Sequence, residues 1–317
     1  MKSRFAFLIL LSSMMSFVAG GILATKFKSK IPVLGKVKQF TKSSLTNFQI
    51  LGKYKEVVCP KNSISIAIFG QSNSANSVSG KFENPIPGNL YQYDWKSQKC
   101  YRYQEPLLGS TGRGGNAITY TSVRLANQIA KPIIIIPFGV GGRSVLHWAY
   151  KDLSHQHDIV MTNMKENDLS PDIFLWHQGE RDAKNSKYST SNLIKTEYFL
   201  PNKKDRMGLG EDEYYDALKS IIDKTFKSFP NSRFGVALAT ICGTHTPQWE
   251  PVRNAQLRIT QDVPGIFISA DSDMITGEDN RADGCHFSPK GASQLGDMYY
   301  LSIYKQLGLV DNEEVTQ

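Results

Sequence analysis

The sequence predicts an α/β fold: one doubly wound, flavodoxin-like domain of three layers, with a parallel sheet of about five strands and a hydrophobic helix before it. Five short, predominantly apolar runs are bounded by turn residues; they lie at 64–69, 133–138, 173–176, 234–239 and 266–269. Amphipathic stretches that suit helices lie between them, at 120–130, 212–227 and 289–307. Apolar strands that alternate with helices indicate a parallel sheet covered on both faces.

Two regions depart from this alternation. Residues 89–107 are predicted to form a hairpin beside the domain, with a turn near 96–98. Residues 184–209 are polar and without period, which favours a long loop insertion. Because active sites in such sheets gather at the carboxyl ends of the strands, functional residues are expected directly after the apolar runs.

The N-terminal segment 1–24 is predicted to be a signal peptide or a signal anchor. Lys2 and Arg4 precede residues 5–24, which carry no charge. About 20 such residues can cross a bilayer, and residues 18–20 also suit signal cleavage. Lysines at 26, 28 and 30 weaken the case for an anchor. Both interpretations export the chain to the periplasm or extracellular space, and an uncleaved segment would attach it to the membrane.

The formal charge of +8 is unevenly distributed. Residues 1–60 hold ten Lys or Arg and one acidic residue, which leaves the remainder near neutrality. Residues 25–56 are therefore predicted to be a basic linker, followed by a folded domain at 57–317. A nucleic-acid partner would require basic residues clustered on the folded part, and none is expected.

The four cysteines lack the C-x-x-C spacing of zinc sites. An even number in an exported protein favours disulfides. We predict Cys59–Cys100 and Cys242–Cys285, because each pair joins segments expected to be neighbours; buried free thiols are the alternative.

Several candidate catalytic residues follow the apolar runs. Ser72 in "FGQSNS" is a candidate nucleophile or a helix cap. Asp283 and His286 in "DGCHFSPKGA" have the spacing of an orienting carboxylate and a base, although His286 also suits a capping role. Gly142 in "PFGVGGRS" offers either an unencumbered backbone N–H or a tight turn.

The third apolar run leads into "IFLWHQGERDA". Gln178 follows the strand directly, so its amide and the N–H of Gly142 are candidate donors to one oxyanion hole. The charged residues at 180–182 also suit a surface ion pair. Trp148 is either a core residue or the wall of a sugar site.

Together, "FGQSNS", "GVGGRSVLHW", "WHQGERDA" and "DGCHFSPKGA" resemble the successive blocks of the SGNH (GDSL-type) hydrolases. The nearest branch is that of the carbohydrate esterases similar to sialate O-acetylesterase and acetylxylan esterase. The resemblance spans about 64–307 and includes "GRGGNA" and "VRNAQ".

The resemblance implies a Ser-His-Asp esterase that removes acyl groups, most often acetyl, from saccharides. Ser72 would be the nucleophile, His286 the base and then the acid, and Asp283 its orienter. The oxyanion donors would be the N–H groups of Ser72 and Gly142 and the side chain of Gln178. Candidate substrate-binding residues are Trp148, Arg143 and Glu180. No metal or organic cofactor is expected.

Two other functions fit the same residues. An envelope polysaccharide O-acetyltransferase would use the same triad with a sugar as the acceptor. A non-catalytic carbohydrate-binding protein would keep the fold, although it would not need all three triad residues.

Overall fold

The computed structural model describes residues 52–183, 208–243 and 248–309. The predicted signal segment, most of the linker and most of the predicted 184–209 insertion lie outside these ranges. The described residues from Glu56 onward belong to one compact unit. Among the described residues, no helix is long and apolar enough to span a membrane.

The described strands form one sheet of eight. They are β1 (Glu56–Val57), β2 (Ile64–Gly70), β3 (Leu90–Asp94), β4 (Lys99–Arg102), β5 (Ile133–Gly139), β6 (Ile173–His177), β7 (Arg233–Leu238) and β8 (Ile266–Asp271). The order across the sheet is β1-β4-β3-β5-β2-β6-β7-β8. The five strands predicted from apolar runs are β2, β5, β6, β7 and β8; they are parallel to their neighbours and lie in the flavodoxin-like order.

The predicted strand number was too low, because residues 89–107 add β3 and β4 to the sheet and Glu56–Val57 adds β1. Strand β3 pairs in parallel with β5, and β4 runs antiparallel to β3 after the predicted turn. The run was not apolar because β3 contains Gln92, which is buried. Its amide donates to the Gln104 carbonyl (3.0 Å) and accepts from the Leu108 N–H (2.8 Å), so the polar group is satisfied inside the fold.

The helices cover both faces of the sheet. They are α1 (Ile118–Gln128), α2 (Val145–Tyr150), α3 (Asp152–Glu166), α4 (Glu211–Ser228), α5 (Glu250–Asp262) and α6 (Pro289–Gln306). On β2, Ile66 and Ile68 belong to the core shared with α1 and α6. Ala67 and Phe69 belong to the core shared with α2 to α5. The alternation along β2 therefore separates two apolar cores, which confirms the three-layer arrangement.

Both predicted disulfides are present. Cys59 pairs with Cys100 on β4, near the edge of the sheet. Cys242 pairs with Cys285, which joins the segment after β7 to the segment before α6. Disulfides persist in oxidising compartments, which supports an extracellular or periplasmic location.

Candidate active site

The turn that carries Ser72 depends on Gly70. Gly70 closes β2 with φ +131°, and a Cβ there would lie 2.1 Å from the carbonyl oxygen of His177 on β6. Only glycine permits this backbone and this approach. A 3₁₀ turn at Ser72–Ser74 follows, in which the Ser74 hydroxyl donates to the Gln71 carbonyl at 2.7 Å. Ser72 thus lies beyond the carboxyl end of a central strand, where it is 7% exposed.

Asp283 and His286 form a pair within one short loop. Nδ1 of His286 lies 2.7 Å from Oδ2 of Asp283. The backbone N–H groups of Cys285 and His286 donate to Oδ1 at 2.9 and 2.7 Å. Burial raises the pKa of Asp283, but hydrogen bonds from the backbone and ring of His286 and from the Cys285 N–H lower it below its usual range. The carboxylate is therefore ionised and fixes the orientation of the imidazole.

Arg281 secures this loop, and no motif in the sequence marked it as a functional residue. Its guanidinium is buried and donates to the backbone carbonyls of Ile241, Ser272, Ile275 and Cys285. It also lies 4.4 Å from the centre of the Phe287 ring. Since its partners are carbonyl groups rather than side chains, no residue type in the sequence signals this role.

Asn73 connects the Ser72 turn to the His286 loop. Its Nδ2 donates to the carbonyl of Cys285 at 3.3 Å and to Oε1 of Glu180 at 2.8 Å. Ser72 precedes Asn73 in the chain, and His286 follows Cys285. The turn that carries Ser72 and the loop that carries Asp283 and His286 therefore contact each other at the carboxyl ends of the strands.

The two glycines after β5 have different roles. The N–H of Gly141 donates to the Thr111 hydroxyl at 2.9 Å, and a Cβ on Gly141 would lie 3.8 Å from the Ser72 Cβ. Gly142 has φ +69°, in the left-handed region. Within the described ranges, the N–H groups of Ser72 and Gly142 donate to no other group. The approach of Gly141 to Ser72 therefore places the Gly141–Gly142 turn beside the turn that carries Ser72.

Gln178 is placed differently from the expectation that it donates into an oxyanion hole. It is fully buried, and its Nε2 lies 2.7 Å from Oδ2 of Asp182. The same nitrogen lies 3.3 Å from both Oε1 of Gln71 and the carbonyl of Arg143. Its Oε1 accepts from the Tyr214 hydroxyl at 3.0 Å. An amide has two N–H groups, and here both are engaged by protein acceptors.

Asp182 fixes the segment that follows Gly142. Its Oδ2 accepts the N–H of Val145, the first residue of α2, at 2.8 Å. Burial raises the pKa of Asp182 to about 6, against the opposing effect of hydrogen bonds from Ser144, Val145 and Gln178. The carboxylate is buried, so the interpretation of residues 180–182 as a surface ion pair is corrected for Asp182.

Trp148 belongs to the core, which corrects the expectation that it walls a sugar site. It is 1% exposed and packs against Phe69, Phe138 and Trp176, with ring centres 6.1, 4.8 and 5.4 Å away. Its position on the short helix α2 turns it toward the sheet. The position of a tryptophan near a motif therefore did not show whether its side chain belongs to the core or contacts substrate.

The other two substrate-binding candidates also differ from each other. Glu180 is 1% exposed, so a direct contact with a saccharide is excluded in this arrangement, and the expected role is corrected. Arg143 is partly exposed and pairs with Asp152, with Nη2 3.3 Å from Oδ2. Its role in substrate binding remains a proposal.

Comparisons with known proteins agree with this architecture. A family model described as carbohydrate esterase, sialic acid-specific acetylesterase, matches residues 66–305. No curated protein matches the chain in sequence. A solved structure from Arabidopsis thaliana has a TM-score of 0.56 at 13% identity, over 77% of this chain and 98% of its own. A carbohydrate acetylesterase from Xanthomonas citri has a TM-score of 0.51 at 12% identity, over 78% of this chain and 57% of its own.

At these identities the two structures show a shared fold. The family model, in contrast, spans most of the chain and all four motifs. The protein therefore belongs to the sialic acid-specific acetylesterase family of carbohydrate esterases.

Proposed function

We propose that the protein is a serine esterase that removes acetyl groups from carbohydrate hydroxyls by means of Ser72, His286 and Asp283. Family membership supports the carbohydrate esterase class. The observation that carries the proposal is the pair of His286 and Asp283, in which Nδ1 lies 2.7 Å from Oδ2. The loop of this pair contacts the turn of Ser72 through Asn73.

The first half of the reaction forms an acyl-enzyme. Ser72 Oγ attacks the ester carbonyl carbon while Nε2 of His286 takes the hydroxyl proton. The carbonyl oxygen becomes an oxyanion, which accepts hydrogen bonds from the N–H groups of Ser72 and Gly142. As this intermediate collapses, the bond to the sugar oxygen breaks, and His286 returns the proton to that oxygen. Acetyl-Ser72 and a free sugar hydroxyl result.

The second half consumes water. His286 takes a proton from a water molecule, and the oxygen of that water attacks the acetyl carbon. Collapse of the second oxyanion releases acetate, and Ser72 regains its proton from His286. Asp283 keeps the imidazole in the required tautomer throughout and stabilises its charged form, without itself taking a proton.

We assign Gln178 to positioning rather than to direct oxyanion binding. Its amide contacts Gln71 and the carbonyl of Arg143, which adjoin Ser72 and Gly142 respectively. It thereby sets the distance between the two backbone donors. Asp182 acts with it, because one carboxylate oxygen accepts from both Gln178 and the start of α2.

The proposal is tested by acetate release from O-acetylated sialic acid, acetylated xylan and p-nitrophenyl acetate, with the full chain and its Ser72→Ala variant. Ser77→Ala, in the same segment, is the matched control. We expect turnover of at least one acetylated saccharide that Ser72→Ala abolishes and Ser77→Ala retains. Acetyl transfer to an added saccharide without acetate release would instead support a transferase, and saccharide binding without turnover would support a binding protein.

A further inference from the structure

Glu180 is a buried acidic residue that the proposed reaction does not use. It is 1% exposed, and a charge at such a depth is costly unless it is paired and hydrogen-bonded. Asn73 Nδ2 donates to its Oε1 at 2.8 Å, and His177 Nε2 lies 3.3 Å from the same oxygen. Burial raises the pKa of Glu180, but His177 and Asn73 together lower it to about 2. The Oε1 atom of Glu180 is thus a buried acceptor for Asn73.

The surroundings of Glu180 are themselves fixed. Nδ1 of His177 lies 2.7 Å from the hydroxyl of Tyr299 on α6, and the His177 and Phe287 rings contact each other with centres 6.2 Å apart. His177, Glu180 and Tyr299 are all buried. The acceptor that faces Asn73 is therefore held by β6 on one side and α6 on the other.

Asn73 uses a single nitrogen for two contacts. One donation goes to Glu180 and the other to the carbonyl of Cys285, the residue before His286. A side-chain amide rotates about its last bond, so the strong acceptor on Glu180 decides where the second N–H points. That second N–H joins the turn of Ser72 to the loop of His286.

We infer that Glu180 is a positioning residue, which orients Asn73 so that the Ser72 turn and the His286 loop stay in register. It touches neither substrate nor the reacting atoms. The inference deepens the proposed function, on which its kinetic readout rests. It predicts that Asn73 and Glu180 act as one unit.

A double-mutant cycle with acetylated substrate tests this unit. Glu180→Met keeps the length of the side chain and removes the acceptor, Asn73→Ala removes the donor, and Glu180→Gln is the matched control that keeps an acceptor. We expect Glu180→Met and Asn73→Ala each to lower kcat about 10²-fold with KM within about threefold, since small displacements of reacting groups have effects of this size. The double variant should be no slower than either single variant, whereas Glu180→Gln should keep at least about a tenth of kcat.

Backbone hydrogen exchange provides a readout that is independent of esterase activity. The N–H groups of Cys285 and His286 donate to Asp283, so loosening of the loop should speed their exchange. We expect faster exchange at these two amides in Glu180→Met and Asn73→Ala, but not in Glu180→Gln. If Glu180→Met does not fold, Asn73→Ala and Glu180→Gln still give the comparison.

The outcomes separate the two proposals. Suppose that wild type hydrolyses no ester, while exchange at Cys285 and His286 is faster in Glu180→Met and Asn73→Ala but not in Glu180→Gln. This result would overturn the proposed function and support the positioning role. Effects on kcat that multiply in the double variant, or unchanged exchange at Cys285 and His286 in Asn73→Ala, would overturn the positioning role.

Discussion

The carboxylate of Asp283 contacts His286 twice: Oδ2 lies 2.7 Å from the imidazole Nδ1, and Oδ1 accepts the backbone N–H of the same residue at 2.7 Å. The two residues are three apart, so a short loop builds the pair without help from another element. Pairs of this kind need support from surrounding structure to remain in one geometry. Here the support comes from the Cys242–Cys285 disulfide and from Arg281.

Asp283→Asn should lower kcat about 10⁴-fold. The amide keeps the size of the side chain, but it favours the wrong tautomer of the imidazole and removes the charge that stabilises its protonated form. Steady-state kinetics with p-nitrophenyl acetate measure the effect, and near-ultraviolet circular dichroism checks the fold. A folded Asp283→Asn variant with more than about a tenth of the wild-type kcat would contradict the assigned role.

The two disulfides form a matched pair for testing loop rigidity. Their sequence separations are 41 and 43 residues, so the chain-entropy model assigns about 4 kcal/mol of unfolding free energy to each. Replacing both cysteines of either pair by Ala should therefore cost similar stability in urea unfolding. Only loss of Cys242–Cys285 should also lower kcat, because only that bridge adjoins His286.

Loss of Cys59–Cys100 is the control for this comparison, since that bridge lies near the edge of the sheet at β4. The kinetics are to be measured at a temperature where both variants are folded. Equal falls in kcat for the two variants would show that stability, rather than positioning of the His286 loop, limits the activity.

Asp182 predicts a specific dependence of stability on pH. Its pKa of about 6 in the folded state exceeds the ordinary 3.8, so the folded state holds the proton more tightly than the unfolded chain. Its contribution is most favourable below about pH 4 and declines as the pH rises through 6. The shift corresponds to about 3 kcal/mol, at about 1.4 kcal/mol for each pKa unit.

The isosteric Asp182→Asn variant isolates this contribution. The free energy of unfolding of wild type minus that of Asp182→Asn should fall by about 2.5 kcal/mol between pH 4 and pH 7.5, as measured by urea unfolding. A difference that stays constant, or that grows with pH, would contradict the assignment of a raised pKa to this carboxyl group.

Gly70→Ala should destabilise the fold by about 3 kcal/mol or more, because the added Cβ meets the His177 carbonyl at 2.1 Å and the positive φ is strained. Gly88→Ala is the matched control, since a Cβ there meets no atom within 4 Å. Thermal unfolding of both variants measures the difference. Equal unfolding temperatures would show that β2 and β6 can separate at this point.

The sequence was informative where chemistry and chain position coincide. Ser72 follows a predominantly apolar strand, and Asp283 and His286 adjoin a cysteine whose partner follows another strand. The order of elements therefore predicts that the segments of these residues meet at the carboxyl ends of the strands. Both disulfide pairs were predicted on the same reasoning.

The sequence was less informative wherever a polar or aromatic residue is buried. Gln92 interrupts the apolar pattern of β3, and Glu180 is of a residue type that is usually exposed. Both are stabilised by hydrogen bonds from residues far away in the chain, which periodicity does not detect. The prediction that Trp148 walls a sugar site was wrong for a different reason, since an aromatic residue beside a motif suits a core and a sugar site equally well.

If Ser72 is an activated nucleophile, a fluorophosphonate should label it; the full chain is treated with the reagent and its peptides are identified by mass spectrometry. We predict one adduct, located on Ser72, which is absent from Ser72→Ala, greatly slowed in His286→Ala and retained in Ser77→Ala. Ester hydrolysis by wild type that leaves Ser72 unlabelled and persists in Ser72→Ala would contradict the account.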